Sequence, residues 1–416
     1  FCKLNSLTAG TFLGLDNMKS LTVRTHNTDW SAMALELTPD SLVGMPRLES
    51  LDLGENNLKD LPERVFCPLP ALLHLNLTAN RLEDVSEVGV VGGCGAHLVT
   101  LDLTANDLVV LPEAGFAELQ SLRELNLQYN KISKLHDRAL FGLSALNILN
   151  ISSNHIVALH PDAFNETTGL QELYLQNNSL SVVADTFHGL IRLVVLNLSN
   201  NRLAQVNFDM FRDMSALQVL DLSHNSLTVI GDRTFSSLAN LHRLDLSYNQ
   251  LLTVQGLNLA GLHVLSDISV GHNNISHISD EAFENCTNLR DLRLEYNALS
   301  EIPSAIVELI SLRTLRISHN VLATIKHDDL TYLTDLIHLD MSNNVLKGIC
   351  KHCLENLSEL KVLDLSSNEL SAIPQGSFDS NVALQHLRVD GNKLSNIYGL
   401  FASLPNLLWL NVSDNR

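Results

Sequence analysis

Leucines recur along the chain in the pattern L-x-x-L-x-L-x-x-N-x-L, as in Leu48-Glu49-Ser50-Leu51-Asp52-Leu53-Gly54-Glu55-Asn56-Asn57-Leu58. In x-L-x-L-x the leucines point one way and the x residues the other, because side chains alternate along a strand. The pattern therefore predicts one short strand per copy, apolar on its inner face and polar on its outer face. Neighbouring copies pair these strands into a parallel sheet whose outer face stays open to solvent. The asparagines fall at 56, 80, 106, 130, 154, 178, 201, 225, 249, 273, 297, 320, 344, 368, 392 and 415, spaced almost throughout by 23 or 24 residues. An amide buried where the chain leaves the strand has donors and an acceptor for the backbone of adjacent turns, so these residues should stack into a ladder. His26 and Cys2 stand at the asparagine position of two degenerate copies.

A second apolar column follows the ladder by nine or ten residues, at Phe66, Phe116, Phe164, Phe187, Phe211, Phe235, Phe283 and Phe378, with Leu or Ile in several intervening copies. It predicts a packed spine beneath an irregular or short-helical convex side. Together these features give an α/β leucine-rich-repeat solenoid, a right-handed horseshoe with a parallel concave sheet whose L-x-L cores run from Leu21-Thr22-Val23 to Leu410-Asn411-Val412. Residues 1–416 read as one array. Two copies are long, one carrying Trp30 and the other Gly89-Val90-Val91-Gly92-Gly93-Cys94-Gly95, and the extra residues should form loops.

A net charge of −19 with acidic residues scattered along the chain argues against general nucleic-acid binding. No apolar run reaches the ~18 residues of a membrane span. The chain opens at Phe1 and stops at Arg416 inside the pattern, so both ends are expected to be cuts within a longer protein. Cys67 and Cys94 fall on the convex side of adjacent copies, at a separation compatible with a disulfide. Cys350 and Cys353 form a C-x-x-C within one copy and admit a local disulfide, free thiols or a metal site. Cys286 lies too many copies from any other cysteine to pair and should be buried. N-x-S/T sequons occur at Asn76, Asn150, Asn165, Asn177, Asn197, Asn274, Asn285, Asn356 and Asn411. This density, with the disulfides, favours a cell-surface or secreted setting in which N-linked glycans are the only added groups and no cofactor is bound.

No nucleophile elbow, H-E-x-x-H or P-loop occurs, so neither an enzyme nor a metal site is expected. His224, Tyr248, His272, Tyr296 and His319 each precede a ladder asparagine. Histidines two copies apart stand ~10 Å from each other, too far to share one zinc ion. This column reads as solvated turn residues, with pH sensing as the alternative.

The outward column after the central leucine suggests where a partner would bind. Four sequons, Asn76, Asn150, Asn197 and Asn411, sit in that column, whereas the copies from Asn225 to Asn392 have none there. The clear stretch reads Asp221, Asp245, Ser269, Arg293, Arg316, Asp340, Asp364, Arg388. Arg293 and Arg316 should be lateral neighbours, with Arg290 and Arg313 at the start of the same strands. Four arginines together repel, and their forks suit carboxylate, sulfate or phosphate. Arg290, Arg293, Arg313, Arg316, Asp245 and Arg388 are therefore the candidate ligand contacts. The alternative is that Asp267, Asp291 and Glu295 neutralise the arginines in a surface network.

The stretch Arg24-Thr25-His26-Asn27-Thr28-Asp29-Trp30-Ser31-Ala32-Met33 is not generic repeat sequence. It resembles the long Toll receptors of arthropods, the group containing 18-wheeler. So do Val65-Phe66-Cys67-Pro68-Leu69, Leu173-Tyr174-Leu175-Gln176-Asn177-Asn178-Ser179, Arg192-Leu193-Val194-Val195-Leu196-Asn197-Leu198 and Asn285-Cys286-Thr287-Asn288-Leu289. The resemblance implies the extracellular repeat array of a type I membrane receptor in innate immunity and development. Its partner would be a Spätzle-type cystine-knot cytokine or another cell-surface receptor, with receptor dimerisation and signalling through a cytoplasmic TIR domain. The cysteine-rich caps, membrane span and TIR domain of that pattern are absent from this chain. A cell–cell adhesion module acting by homophilic or heterophilic receptor binding is the alternative function.

Overall fold

The computed structural model describes residues 4–25, 33–88, 93–183 and 185–416. Cys2, His26, Trp30 and most of the Gly89–Gly95 insert lie outside the described residues. The chain divides into two compact units, Phe1–Leu203 and Ala204–Arg416. Both are solenoids of the same repeat.

In the first unit, parallel three-residue strands run from Ser20–Thr22 to Val195–Asn197, and Leu21, Leu51, Leu75, Leu101, Leu125, Leu149, Leu173 and Leu196 stand in register. In the second, strands from Val219–Asp221 to Trp409–Asn411 align Leu220, Leu244, Ile268, Leu292, Leu315, Leu339, Leu363, Leu387 and Leu410. The paired triplet is x-L-x, one residue earlier than the L-x-L core of the pattern. The second leucine still extends the ladder by one bond, as where the Leu53 N–H donates to the Asn76 carbonyl at 2.9 Å. Removing an interior leucine from water contributes about 2 kcal/mol, and the column repeats this gain in every copy.

The asparagine ladder closes the backbone arithmetic at each turn. Asn249 Nδ2 donates to the carbonyls of Leu246 in its own repeat and Leu222 in the preceding one, both at 3.0 Å, and its Oδ1 accepts the Leu227 N–H at 3.0 Å. Asn80, Asn106, Asn130 and Asn154 make the same three contacts in the first unit. Each side chain thus satisfies groups of two repeats that would otherwise be buried without partners.

The residue before each ladder asparagine has left-handed backbone, with φ of 53° at Ser153, 52° at His224, 54° at Tyr248 and 54° at Asn343. That twist turns its N–H onto the next repeat: Tyr248 donates to the Gly271 carbonyl at 3.0 Å. Asparagine, aspartate and glycine hold this slot at Asn177, Asn200, Asp414 and Gly391, as the conformation favours.

The convex side carries the phenylalanine spine. Phe66, Phe116, Phe164, Phe187, Phe211, Phe235 and Phe378 are fully buried. Around them are two-residue strand pairs, short 3-10 turns and one brief helix, Phe208–Phe211, capped by the Asn207 side chain accepting the Met210 N–H. The structure bridges Cys67 to Cys94 across the convex side, with Cα atoms 4.6 Å apart, and Cys350 to Cys353 with Cα atoms 5.3 Å apart. Cys286 is a buried free thiol, and burial pushes its pKa up to about 12, which keeps it protonated and inert.

Candidate functional site

The outward column of the sheet does two jobs. Where it holds Asp or Asn, the side-chain oxygen accepts the N–H of the residue two positions on and tightens the turn out of the strand. Asp245 Oδ1 takes the Ser247 N–H at 2.9 Å and its hydroxyl at 2.6 Å. Asn150 Oδ1 takes the Ser152 N–H at 3.1 Å and its hydroxyl at 2.7 Å. Asp245, named above as a contact candidate, is therefore half occupied by its own turn. The concave sequons Asn76, Asn150, Asn197 and Asn411 share this geometry, because the hydroxyl residue that completes the sequon is also the turn partner. Asn165, Asn177, Asn274 and Asn356 are exposed and Asn285 is half-buried.

The arginines lie where the register places them. Arg293 pairs with Arg316 on the adjacent strand. The Arg290 carbonyl accepts the N–H groups of Arg313 and Thr314, each at 2.9 Å, which sets Arg290 and Arg313 side by side with both residues exposed. Of the expected neutralising acids, Asp291 binds Arg293 Nε at 2.9 Å. Among the described residues, Arg290, Arg313 and Arg316 have no ion pair, and the buried Nε of Arg316 has no hydrogen-bond partner.

Glu295 is set aside by a gap. A side chain at Gly271 would place its Cβ 3.1 Å from the Glu295 Cδ, so the carboxyl fills the space that the glycine leaves. Burial raises its pKa, against the opposing pull of Arg316 and Arg293, and its Oε2 is buried without a partner. Among the described residues, Glu295 thus faces Arg316 and Arg293 through space but makes no ion pair with either.

Two hollows flank the arginines. Arg243 and Arg293 face each other across Asp245, Asp267 and Asp291 around about 50 Å³. On the other side, Arg316, His338, Asp340, Asp364, Arg388 and Trp409 surround about 420 Å³, a volume in the range of small-ligand clefts. Arg388 is engaged internally, with Asp364 at 3.1 Å and Asp390 at 3.1 Å, so it does not join the free arginines. Those bonds, chiefly the one from Asp390, raise its pKa. Burial, then Arg316, lowers that of His338. Arg243, His338, His386 and Trp409 occupy the outward position before the central leucine. Of that position, only Asp267 and Asp291 were singled out from the sequence, although it recurs with the same period as the one after the leucine.

Beside this face runs a continuous ring stack. His224, Tyr248, His272, Tyr296 and His319 stand at successive centroid distances of 4.0, 3.9, 4.1 and 3.9 Å, with planes within 16° of parallel. Burial and then the flanking His224 and His319 lower the pKa of His272.

Comparison with known proteins places this geometry. One family pattern, described as Leucine rich repeat, matches residues 34–82, 96–156, 144–203, 191–251, 263–322, 310–370 and 358–416. A stretch of 97 residues is 46% identical to Toll-like receptor 7 of Drosophila melanogaster, covering 23% of this chain and only 7% of that receptor. Among solved structures, a leucine-rich-repeat protein of Leptospira interrogans superposes with a TM-score of 0.71 at 24% identity, covering 95% of this chain and 96% of its own. Drosophila Toll, in its complex with Spätzle, gives a TM-score of 0.71 at 22% identity, covering 90% of this chain and 56% of its own. At these identities the superpositions show the fold. With the repeat matched over most of its length, the chain belongs to the leucine-rich repeat family.

Proposed function

We propose that this chain is part of the extracellular array of a Toll-type receptor of the long arthropod group and binds a protein partner on the concave face of its second unit. The partner class is a Spätzle-type cystine-knot cytokine or another cell-surface receptor. The matched stretch of Toll-like receptor 7 and the fold shared with Toll support the receptor class. The observation that carries the site is the set of arginines without ion pairs, Arg290, Arg313 and Arg316, beside Arg293 in a chain of net charge −19. Like charges on adjacent strands oppose folding, so their clustering fits an external anion. N-linked glycans on the nine sequons would keep the partner away from Asn76, Asn150 and Asn197 in the first unit. The receptor would be held at the cell surface by a span outside this chain. Among the described residues, no helix is long and apolar enough to cross a membrane.

Arg293→Glu with Arg316→Glu tests the site. Partner affinity should fall by about 2 kcal/mol or more with thermal stability nearly unchanged. Unaltered affinity would remove the arginines from the binding face. Light scattering on the purified chain separates the two partner classes, since self-association with rising concentration would favour adhesion between receptors.

A further inference from the structure

The ring stack adjoins the arginine patch through the chain itself. The strand Asp291–Arg293 leads through Leu294 and Glu295 to Tyr296, and Thr314–Arg316 leads through Ile317 and Ser318 to His319. All five rings sit in left-handed slots, with φ between 52° and 55°. Other repeats fill that slot with Glu, Ala, Ser, Asn, Asp or Gly, and Tyr129 fills it in the first unit between Ala105 and Ser153, so the slot itself accepts a tyrosine. What sets these five apart is that rings fill successive slots and stack, each ring pair contributing about 0.5–1.5 kcal/mol. The ring faces are spent on one another, and the edges face outward: Tyr248 and Tyr296 are both 45% exposed.

The charged surroundings of the stack are one-sided. Tyr248 and Tyr296 cover the two faces of His272, and the groups acting on its charge are His224 and His319. Glu295, folded over Gly271, interacts with Arg316, Arg293 and Asp340 instead. The residues following the ladder beside the stack, Ser226, Gln250, Asn274, Ala298 and Val321, are uncharged, and Asn274 opens a sequon whose glycan would have to leave the ring edges clear. Imidazole is the side chain that gains its charge between about pH 5 and 8. Acidification therefore adds positive charge along this flank, next to four arginines. Among the described residues no ion pair engages the histidines of the stack, and the Glu295 carboxyl beside Gly271 is turned to the arginines.

We propose that the stack and the arginine patch form one interaction surface for an acidic segment of a protein partner, silent along its stacked flank at neutral pH and cationic along it at acid pH. This rests on the reading of the arginine patch as the binding face and adds its regulation. An anionic partner relieves the repulsion among the protonated rings, so binding and proton uptake are coupled. The surface grips more tightly as pH falls, and binding itself draws protons onto the histidines.

The test uses the whole chain and a fluorescent ten-residue poly-aspartate peptide, which stays ionised at both pH values, about 7.5 and about 5.5. Affinity should rise about tenfold on acidification, beyond what Arg293→Glu with Arg316→Glu leaves, and calorimetry in buffers of different ionisation enthalpy should show proton uptake. The variant His224→Asn, His272→Asn, His319→Asn places in each slot a residue the fold already uses at Asn177, Asn200 and Asn343. It should keep neutral-pH binding and lose the acid increment, while His338→Asn keeps the increment. An increment that survives the triple variant, or a wild-type affinity flat with pH, overturns the proposal. An increment seen with a heparin oligosaccharide but not with the peptide overturns the partner class. Loss of the increment in the triple variant, with neutral binding intact in the double arginine variant, would sink the arginine site and leave the stack standing.

Discussion

The two units share one repeat and carry different chemistry on the same column. In the first, the outward position after the central leucine is Asn at 76, 126, 150 and 197, with Tyr at 174 and Asp at 52 and 102. In the second it is Asp at 221, 245, 340 and 364 and Arg at 293, 316 and 388, with Ser at 269 and a single Asn at 411. The turn asks only for an oxygen there. Asn197 Oδ1 and Asp364 Oδ1 each accept an N–H, from Ser199 and Ser366, at 2.9 Å. The backbone accepts amide and carboxylate alike and so leaves the charge of the face free for function. An asparagine in this turn can complete a sequon, as Asn197 does with Ser199, and an aspartate can enter an ion pair, as Asp364 does with Arg388, on the same frame.

The largest expected contrast between the units lies in their disulfides. Cys67 and Cys94 are 27 residues apart and Cys350 and Cys353 only 3. Replacing the first pair by serine should cost about 3.5 kcal/mol and the second about 1.6, from loop-closure entropy. Urea denaturation of each double variant reads this directly, and equal losses would mean that local strain outweighs the loop term. Next comes the ladder, where the units should behave alike. Asn154→Ala and Asn249→Ala each leave three carbonyls and one N–H without their side-chain partner, so each should cost about 3 kcal/mol. A loss in one unit twice that in the other would show that the shared frame is not equally tight.

Asp245→Asn imposes the chemistry of the first unit on the second. It keeps the turn acceptor and completes a sequon with Ser247, so stability should change by less than about 0.5 kcal/mol. Expressed through a secretory pathway, the variant should gain a glycan on the concave face and lose partner binding about tenfold or more. Combining it with Ser247→Ala, which cannot be glycosylated, should restore binding; a glycosylated variant that binds normally would move the partner elsewhere. The smallest effect is that of pH on stability. His272 and His338, both in the second unit, have folded pKa values below the ordinary 6.5, chiefly through burial. The unfolded chain takes up their protons first as pH falls. Their contribution is therefore complete above pH 6.5 and declines below it. Melting curves should shift down modestly between about pH 7.5 and about pH 5.5, and His272→Asn with His338→Asn should flatten that slope.

The frame was legible because it is periodic. Leu51, Asn56 and Phe66 each recur with the repeat, and each recurrence has a buried partner that only the right residue satisfies. Side-chain direction was harder to read. Arg293 and Arg316 were placed on adjacent strands, but their unequal fates turn on the residue two places earlier, Asp291 before Arg293 and Thr314 before Arg316, while Glu295 turns into the gap at Gly271. Asp245 looked like a free contact because its sequence neighbours do not reveal the bond to Ser247. Strand spacing put the histidines of the flank ~10 Å apart. In the structure, tyrosines fill the intervening slots and successive rings close to about 4 Å, because parallel rings lean together until their faces touch. Arg243, His338 and Trp409 were missed since, in the column before the central leucine, only the acids Asp267 and Asp291 next to the arginines were considered.

The asparagine ladder also sets how such an array answers force. Asn249 reaches back to the repeat before it through Leu222 and Leu227, and Asn368 does the same through Met341 and Leu346. Each coil is clasped by its successor, and each clasp is nearly the same. Tension along a unit would thus meet a series of matched seams with no single weak lock. When repeats interact mainly with nearest neighbours, the seams open one at a time. An array of this kind would lengthen in even increments under load and rewind by the same steps, leaving unstretched coils intact while others have already given way.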